Sequence, residues 1–275
     1  MATYQSVACS TVNQFLIDLA AFLAENGWAI DFNGTYSGSY WRLHFHKSDA
    51  HFDIYSYSSN RIICYACLGY AAGNAPNDQP GKDPITSTSR SITIYPGYTA
   101  HLISVAGALY IGVLNTSGIP YWSFFIHGPD KVGNWNGGTG IMCGNNSGLG
   151  DSSISGSNGG YATVYVNNAW TVTGTTSVGS IAGSEAGNDL AARHQPFFYN
   201  QAVMPVPVMI MLRNASDYTK YHPLFFLPGV FRGNGGTLYD YGELLVIGGD
   251  TYKIVPTRTA TIGASYGDYL FKLGN

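Results

Sequence analysis

Three histidines and a carboxylate stand close together in the first quarter of the chain: His44, His46, His51 and Asp53. Imidazole and carboxylate are the ligands of borderline divalent metals and the usual carriers of protons near neutral pH. Their spacing matters as much as their type. Tyr40 to His46 alternates, with Trp41, Leu43 and Phe45 on one face, and His51 to Tyr57 alternates with Phe52 and Ile54 on one face. A tight loop, Lys47-Ser48-Asp49-Ala50, joins the two runs. Pairing His46 with His51 sets Phe45 against Phe52, Leu43 against Ile54 and His44 against Asp53. The four polar groups then share the face opposite Phe45. A one-residue slip would send one strand's polar set to the other side. A flat, solvent-facing strand pair spreads ligands along a sheet, and neither an H-E-x-x-H motif nor an orienting second group is recognisable. The expectation is therefore no metal and no cofactor, but a pH-sensitive polar surface where His44 pairs with Asp53 at an interface.

Other chemistries find less support. Cys64 and Cys67 form a C-x-x-C, but Ile62, Ile63, Tyr65 and Leu68 around them read as a strand. Residues three apart in a strand point to opposite faces and cannot share an ion. With Cys9 and Cys143 they read as buried structural thiols. There is no G-x-S-x-G elbow. The acidic residues, Glu25, Glu185, Glu243 and thirteen aspartates, single out no pair for glycoside hydrolysis. Gly133 to Gly140 lacks the Lys-Ser/Thr of a phosphate loop. The expectation is no catalytic residue and no enzyme. The many tyrosines and tryptophans suit either sugar stacking or a β core and interfaces.

The elements that must position these groups are mostly strands. Only 11% of the 275 residues are charged while 45% are apolar, with 35 glycines and 21 tyrosines. Scarce glutamate with abundant Gly, Tyr, Thr and Ser favours strands and turns over a helical bundle. One helix is clear: Ser10 is its expected cap, Val12, Phe15, Leu16, Leu19 and Leu23 follow at helical spacing, and Asn26-Gly27 stops it. Trp28 to Phe32 reads as a strand and Asn33 to Ser39 as a turn. Further strands are expected at 61–70, 91–95, 109–114, 121–127, 161–166, 170–173, 203–212, 259–262 and 269–273. A terminal hairpin, 244–247 with 252–255, turns at Gly248-Gly249-Asp250. Residues 71–91 read as a long ordered loop or crossing arm. Gly133–Gly160 and Thr173–Asp189 read as glycine-rich loops, ordered through neighbouring subunits. The fold expected is α+β, predominantly antiparallel β, with one N-terminal amphipathic helix packed on a sheet and long Gly-rich loops. It forms a single structural unit over 1–275. Any sub-division would separate a helix-plus-sheet part, 1–130, from a β-rich, loop-rich part, 131–275.

Partners follow from charge. The net charge of −3 and thirteen scattered basic residues give no nucleic-acid stripe. The N-terminus shows no secretory signal pattern, and the run Val203 to Leu212 carries Pro205 and Pro207 and is too short to span a bilayer, so no membrane insertion is expected. Low charge with many aromatics points to surface hidden in an assembly, here a homo-oligomer.

Several segments together resemble tailed-bacteriophage virion proteins encoded among the head–tail and tail genes. They begin with the short helix ending in Asn26-Gly27-Trp28 and continue through His51-Phe52-Asp53-Ile54-Tyr55-Ser56 and Ala66-Cys67-Leu68-Gly69-Tyr70 to Gln79-Pro80-Gly81. Next come Phe124-Phe125-Ile126-His127-Gly128 and Lys131-Val132-Gly133-Asn134-Trp135-Asn136-Gly137-Gly138. Pro223-Leu224-Phe225-Phe226-Leu227-Pro228-Gly229 and Gly242-Glu243-Leu244-Leu245-Val246-Ile247-Gly248-Gly249-Asp250-Thr251-Tyr252 complete the series, in one order along most of the chain. The resemblance implies a non-enzymatic structural subunit of the neck, collar or tail, made in the host cytoplasm and carried in the virion, with no catalytic residues to transfer. Its partners would be further copies of itself and other virion proteins. The alternative is a receptor- or glycan-binding virion protein, such as an adhesin or fibre-associated module. A third class is a hydrolase acting on cell-surface polymer.

Overall fold

Helix α1 (Val12–Glu25) forms where the apolar residues recur every three to four positions, and Val12, Phe15, Leu16, Leu19 and Leu23 are all buried. Its cap is Thr11, one residue beyond the expected Ser10, because the Thr11 hydroxyl is the one that reaches the third helical residue and accepts the Gln14 N–H at 3.1 Å. Asn26 closes the helix and Gly27, at φ +72°, turns the chain away. In the computed structural model the described residues are 2–85, 91–114, 120–145, 161–173, 178–180, 206–213, 221–233, 244–255 and 268–274.

The chain after the helix winds into a five-stranded antiparallel sheet in sequence order: β2 (Ala29–Ser37), β3 (Tyr40–Lys47), β4 (Ala50–Ser58), β5 (Arg61–Cys67) and β6 (Ser91–Thr93). The β3–β4 register is the one expected, with His46 opposite His51, Phe45 opposite Phe52 and His44 opposite Asp53. Ser48, at φ 52°, makes the two-residue turn. The turn expected at 33–39 is shorter. Asn33 and Gly34 stay in β2, paired with Leu43 and Arg42, and only Gly38 and Ser39 turn. An edge strand with a partner on one side tolerates such turn-forming residues.

A seven-stranded antiparallel sheet lies beneath, in the order β1 (Thr3–Ala8), β7 (Thr99–Ser104), β8 (Ala108–Leu114), β9 (Pro120–Ile126), β11 (Gly137–Asn145), β12 (Tyr161–Val166) and β13 (Ala169–Thr173). Its central strands are buried on both faces. Leu109, Ile111, Val113 and Phe125 pack with α1 and with Leu43, Phe45, Phe52 and Ile54 of the first sheet. Tyr110, Trp122, Phe124 and Ile126 face the other way, onto Phe225, Leu227, Val230 and Phe271. Double burial is why residues 108–113 read as an unbroken apolar run. The third sheet is β14 (Val178–Ser180), β15 (Val206–Arg213), β16 (Tyr221–Gly233), β19 (Asp268–Gly274), β18 (Asp250–Val255) and β17 (Leu244–Ile247), with the short β10 (Asp130–Lys131) paired to β16. The architecture is thus three stacked antiparallel sheets with one N-terminal helix.

Sequence periodicity missed β1, β7, β10, β11, β14 and β16, of which β14 lies inside the stretch 173–189 read as a loop. Strand β11 lies inside the glycine-rich stretch, where β9 and β12 supply hydrogen bonds on both sides. There glycine is required: Gly137 has φ +105°, and a Cβ would stand 2.1 Å from the Tyr165 carbonyl oxygen. The rest of the glycine-rich stretches, 146–160, 174–177 and 181–189, and the strand expected at 259–262 lie outside the described residues. The central sheet crosses residue 130, since β9 pairs directly with β11. Among the described residues no helix is long and apolar enough to cross a membrane.

Candidate functional site

The site is the face of the first sheet turned away from α1. Alternation on β3 sends Leu43 and Phe45 into the core and Arg42, His44 and His46 to this outer face. Asp53 and His51 arrive on β4, directly across from His44 and His46. Strand β5 divides its cysteines as expected: Cys64 joins the core with Ile62 and Ala66, and Cys67 lies with Ile63 and Tyr65 on the other side. Burial raises the Cys67 pKa, so this thiol stays protonated.

This face is not the flat, solvent-facing surface expected from sequence. Arg42 is 2% exposed, and His44 and Asp53 are wholly buried. The cause is the segment 68–85, which folds back over the sheet. Gln79 holds it in shape, its amide donating to the carbonyls of Ala71, Asn74 and Ala75 while its oxygen accepts the Ala71 N–H. Asp83 ties it to β5 by accepting the Ala66 N–H at 2.8 Å. Tyr70 then lies against His44, with ring centroids 4.6 Å apart, and the Asn74 carbonyl accepts from Arg42 Nη1 at 2.8 Å.

The buried groups form a chain of charge-assisted hydrogen bonds. Arg42 Nε donates to both Asp53 oxygens at 3.2 and 3.0 Å, and Nη2 donates to Oδ2 at 2.6 Å. The same Oδ2 stands 2.9 Å from His44 Nδ1. A carboxylate can only accept, so Nδ1 carries the His44 proton and Nε2 presents its lone pair. His44 Nε2 is 3.3 Å from His51 Nδ1 and 3.8 Å from Asp31 Oδ2. At the rim His46 Nδ1 donates to Asp31 Oδ2 at 2.8 Å, and the His46 and His51 rings stack at 4.6 Å. Burial first, then the neighbouring His46 and His44, lower the His51 pKa against the opposing pull of Asp31 and Asp49.

All four residues singled out from sequence meet here, and the pairing of His44 with Asp53 is present, in the interior rather than at an exposed surface. The missing orienting group is Arg42 with Asp53. Arg42 had a signal, since it shares the alternation of His44 and His46. Asp31 had none. It is the extra residue of a β-bulge: Ile30 pairs with Phe45 and Phe32 with His44, so Asp31 and Phe32 both come to the outer face. Phe32 there lies 5.5 Å from the Arg42 guanidinium. Asp31, His46 and His51 each offer one ligand atom within 4.8 Å of one another.

Chemically, an aspartate–histidine pair can serve a nucleophile, but here His44 Nε2 faces the His51 imidazole and the Asp31 carboxylate. Two other histidines lie outside this cluster, His101 bonded to the Tyr4 hydroxyl and His127 packed against Trp28. Burial and Lys253 lower the His101 pKa to about 4, and burial and Lys47 do the same to His127. Compared with known proteins, the chain matches no family model and no curated protein.

Proposed function

We propose that the protein is a non-enzymatic structural subunit of a tailed-phage virion, built into a ring or shell of the neck, collar or tail. The observation that carries the assembly reading is strand β17. It is the edge of the third sheet, bonded to β18 alone among the described residues, and it exposes Leu244 at 60% and Val246 at 66%. An edge strand with free backbone groups and bare aliphatic side chains is a pairing template, which native proteins cover or charge unless a partner strand or surface completes it. With 11% charge the chain does little to blunt that edge. The ordered series of virion-like segments supplies the location.

A second reading, a receptor- or glycan-binding virion protein, is favoured by a different end of the molecule. Tyr36 and Tyr40 flank the β2–β3 turn, Tyr57 precedes the β4–β5 turn, and Tyr95, bonded by the Asn60 amide, follows β6. All four are 38–49% exposed at one end of the first sheet. Exposed aromatic rings are what a sugar stacks on.

The deciding measurements are the solution mass of the purified chain and its copy number in intact particles. A defined oligomer present in fixed, repeated copies supports the structural reading. A monomer absent from particles, or one that binds glycan as a monomer, overturns it.

A further inference from the structure

We propose that Asp31, His44, His46 and His51 hold one divalent transition-metal ion of the zinc class, and that this ion fastens β2, β3 and β4 together. The inference does not depend on the virion reading. Zinc takes imidazole nitrogen and carboxylate oxygen at ~2.0–2.2 Å in a tetrahedron, so its ligand atoms stand about 3.3–3.6 Å from one another. His44 Nε2, His51 Nδ1 and Asp31 Oδ2 already form a triangle with sides of 3.3, 3.8 and 3.8 Å. His46 Nδ1, 2.8 Å from the same Asp31 oxygen, stands at its edge as the fourth donor. Contraction of a few tenths of an ångström closes the triangle around an ion, and His46, whose ligand atom lies within 4.8 Å of those of Asp31 and His51, turns inward as the fourth; Asp31, His46 and His51 retain 20%, 29% and 18% side-chain exposure, which leaves them that freedom.

The feature that separates this cluster from a chance meeting of polar groups is its backing. A ligating histidine is normally held by a carboxylate on its other nitrogen, which fixes tautomer and ring angle. Here Asp53 holds His44 Nδ1 at 2.9 Å, and Arg42 holds Asp53 through three hydrogen bonds, all in the interior. The lone pair of His44 Nε2 is therefore aimed at the cluster before any ion arrives. His44 forms the floor, and the three partly exposed groups form a rim through which a hydrated ion can enter. The donor set selects the ion: three nitrogens and one oxygen suit zinc, whereas calcium and magnesium require oxygen shells and copper(I) prefers sulfur. Four protein groups fill the tetrahedron, so no position is left for a reactive water and the role is structural. The bulge at Asp31 also acquires a purpose, since without it the edge strand would contribute no ligand.

The test uses the full chain, stripped with a chelator and titrated with Zn²⁺ alone by calorimetry, with Co²⁺ as the optical probe. Expected are one equivalent of zinc per chain, the intense visible absorption of tetrahedral cobalt, and a higher melting temperature with zinc. Asp31→Asn and His51→Ala, both at the rim, should each weaken zinc binding at least ~10-fold, the scale on which even supporting groups act. His127→Ala, on the opposite side of the sheet, should leave it unchanged. Circular dichroism checks each variant's fold; should one fail, His46→Gln gives the same readout. No zinc uptake by the stripped wild-type chain, or equal uptake by the folded rim variants, would overturn the proposal.

Discussion

Replacing Arg42 by methionine leaves the buried Asp53 carboxylate without its cation, with the His44 N–H as its remaining partner, and the cost can be worked from the contacts. Arg42 and Asp53 side chains are 3% and 0% exposed, so water cannot take over the lost interaction. Three N–H bonds to the carboxylate disappear, and with them the bond to the Asn74 carbonyl that pins segment 68–85. Breaking a buried ion pair from one side costs about 3–5 kcal/mol, much of it the penalty of the charge left behind. Methionine keeps most of the stem's packing, so ~4 kcal/mol is expected, read as a lower urea midpoint by tryptophan fluorescence in the presence of chelator. The distinctive expectation lies in the double variant. Arg42→Met with Asp53→Asn removes the stranded charge yet keeps an acceptor for His44. It should be more stable than Arg42→Met alone by about 2 kcal/mol, since removing both charges of a buried pair is far milder than removing one. A loss below ~1 kcal/mol for Arg42→Met, or a double variant no more stable than the single, would refute the reasoning about this pair.

Three further outcomes can be checked by the same denaturation assay. Phe52→Ala should cost about 3–5 kcal/mol, because its wholly buried ring packs between Trp28, Phe45 and Phe125 and nothing can refill the space. Gly137→Ala should cost at least ~3 kcal/mol through the clash with the Tyr165 carbonyl and its left-handed backbone, whereas Gly133→Ala, at φ +85° with open space around it, should cost only about 1 kcal/mol. Acid should destabilise the fold through His101, whose folded pKa of about 4 lies below its ordinary 6.5. The unfolded chain takes the proton first, so this contribution is complete above pH 6.5 and is lost as pH falls toward 4, by up to about 3 kcal/mol. His127, lowered to about 4 in the same way, adds a like contribution, so His101→Gln should reduce that slope by about half, and an unchanged slope would show that His101 is not a source.

Sequence alone carried the helix and the hairpin. The apolar spacing of Val12 to Leu23 admits one buried face, and alternation over residues 40–57 admits one register, because a slip of one residue would expose Phe45, Phe52 and Ile54 to water. From that register followed the meeting of His44, His46, His51 and Asp53; the opposite directions of Cys64 and Cys67 followed from their three-residue spacing in a strand. Composition likewise sufficed for a mostly β fold, and the hairpins for its antiparallel pairing. What tertiary structure alone decided was the environment. Asp31 joins the cluster through a bulge, and a bulge leaves no periodic trace in an edge strand whose Asn33 and Gly34 already read as a turn. The polar face became an interior because segment 68–85, shaped by Gln79 and tied to β5 by Asp83, folds over it, and its contacts with the sheet, Asn74 with Arg42 and Tyr70 with His44, link residues far apart in the chain. Strand β11 exists for the same reason: its glycines have little strand preference of their own, and the hydrogen bonds of β9 and β12 on either side impose the extended form. Local pattern encodes which way a side chain points; what it points at depends on long-range contacts that period-two or period-3.6 spacing does not contain.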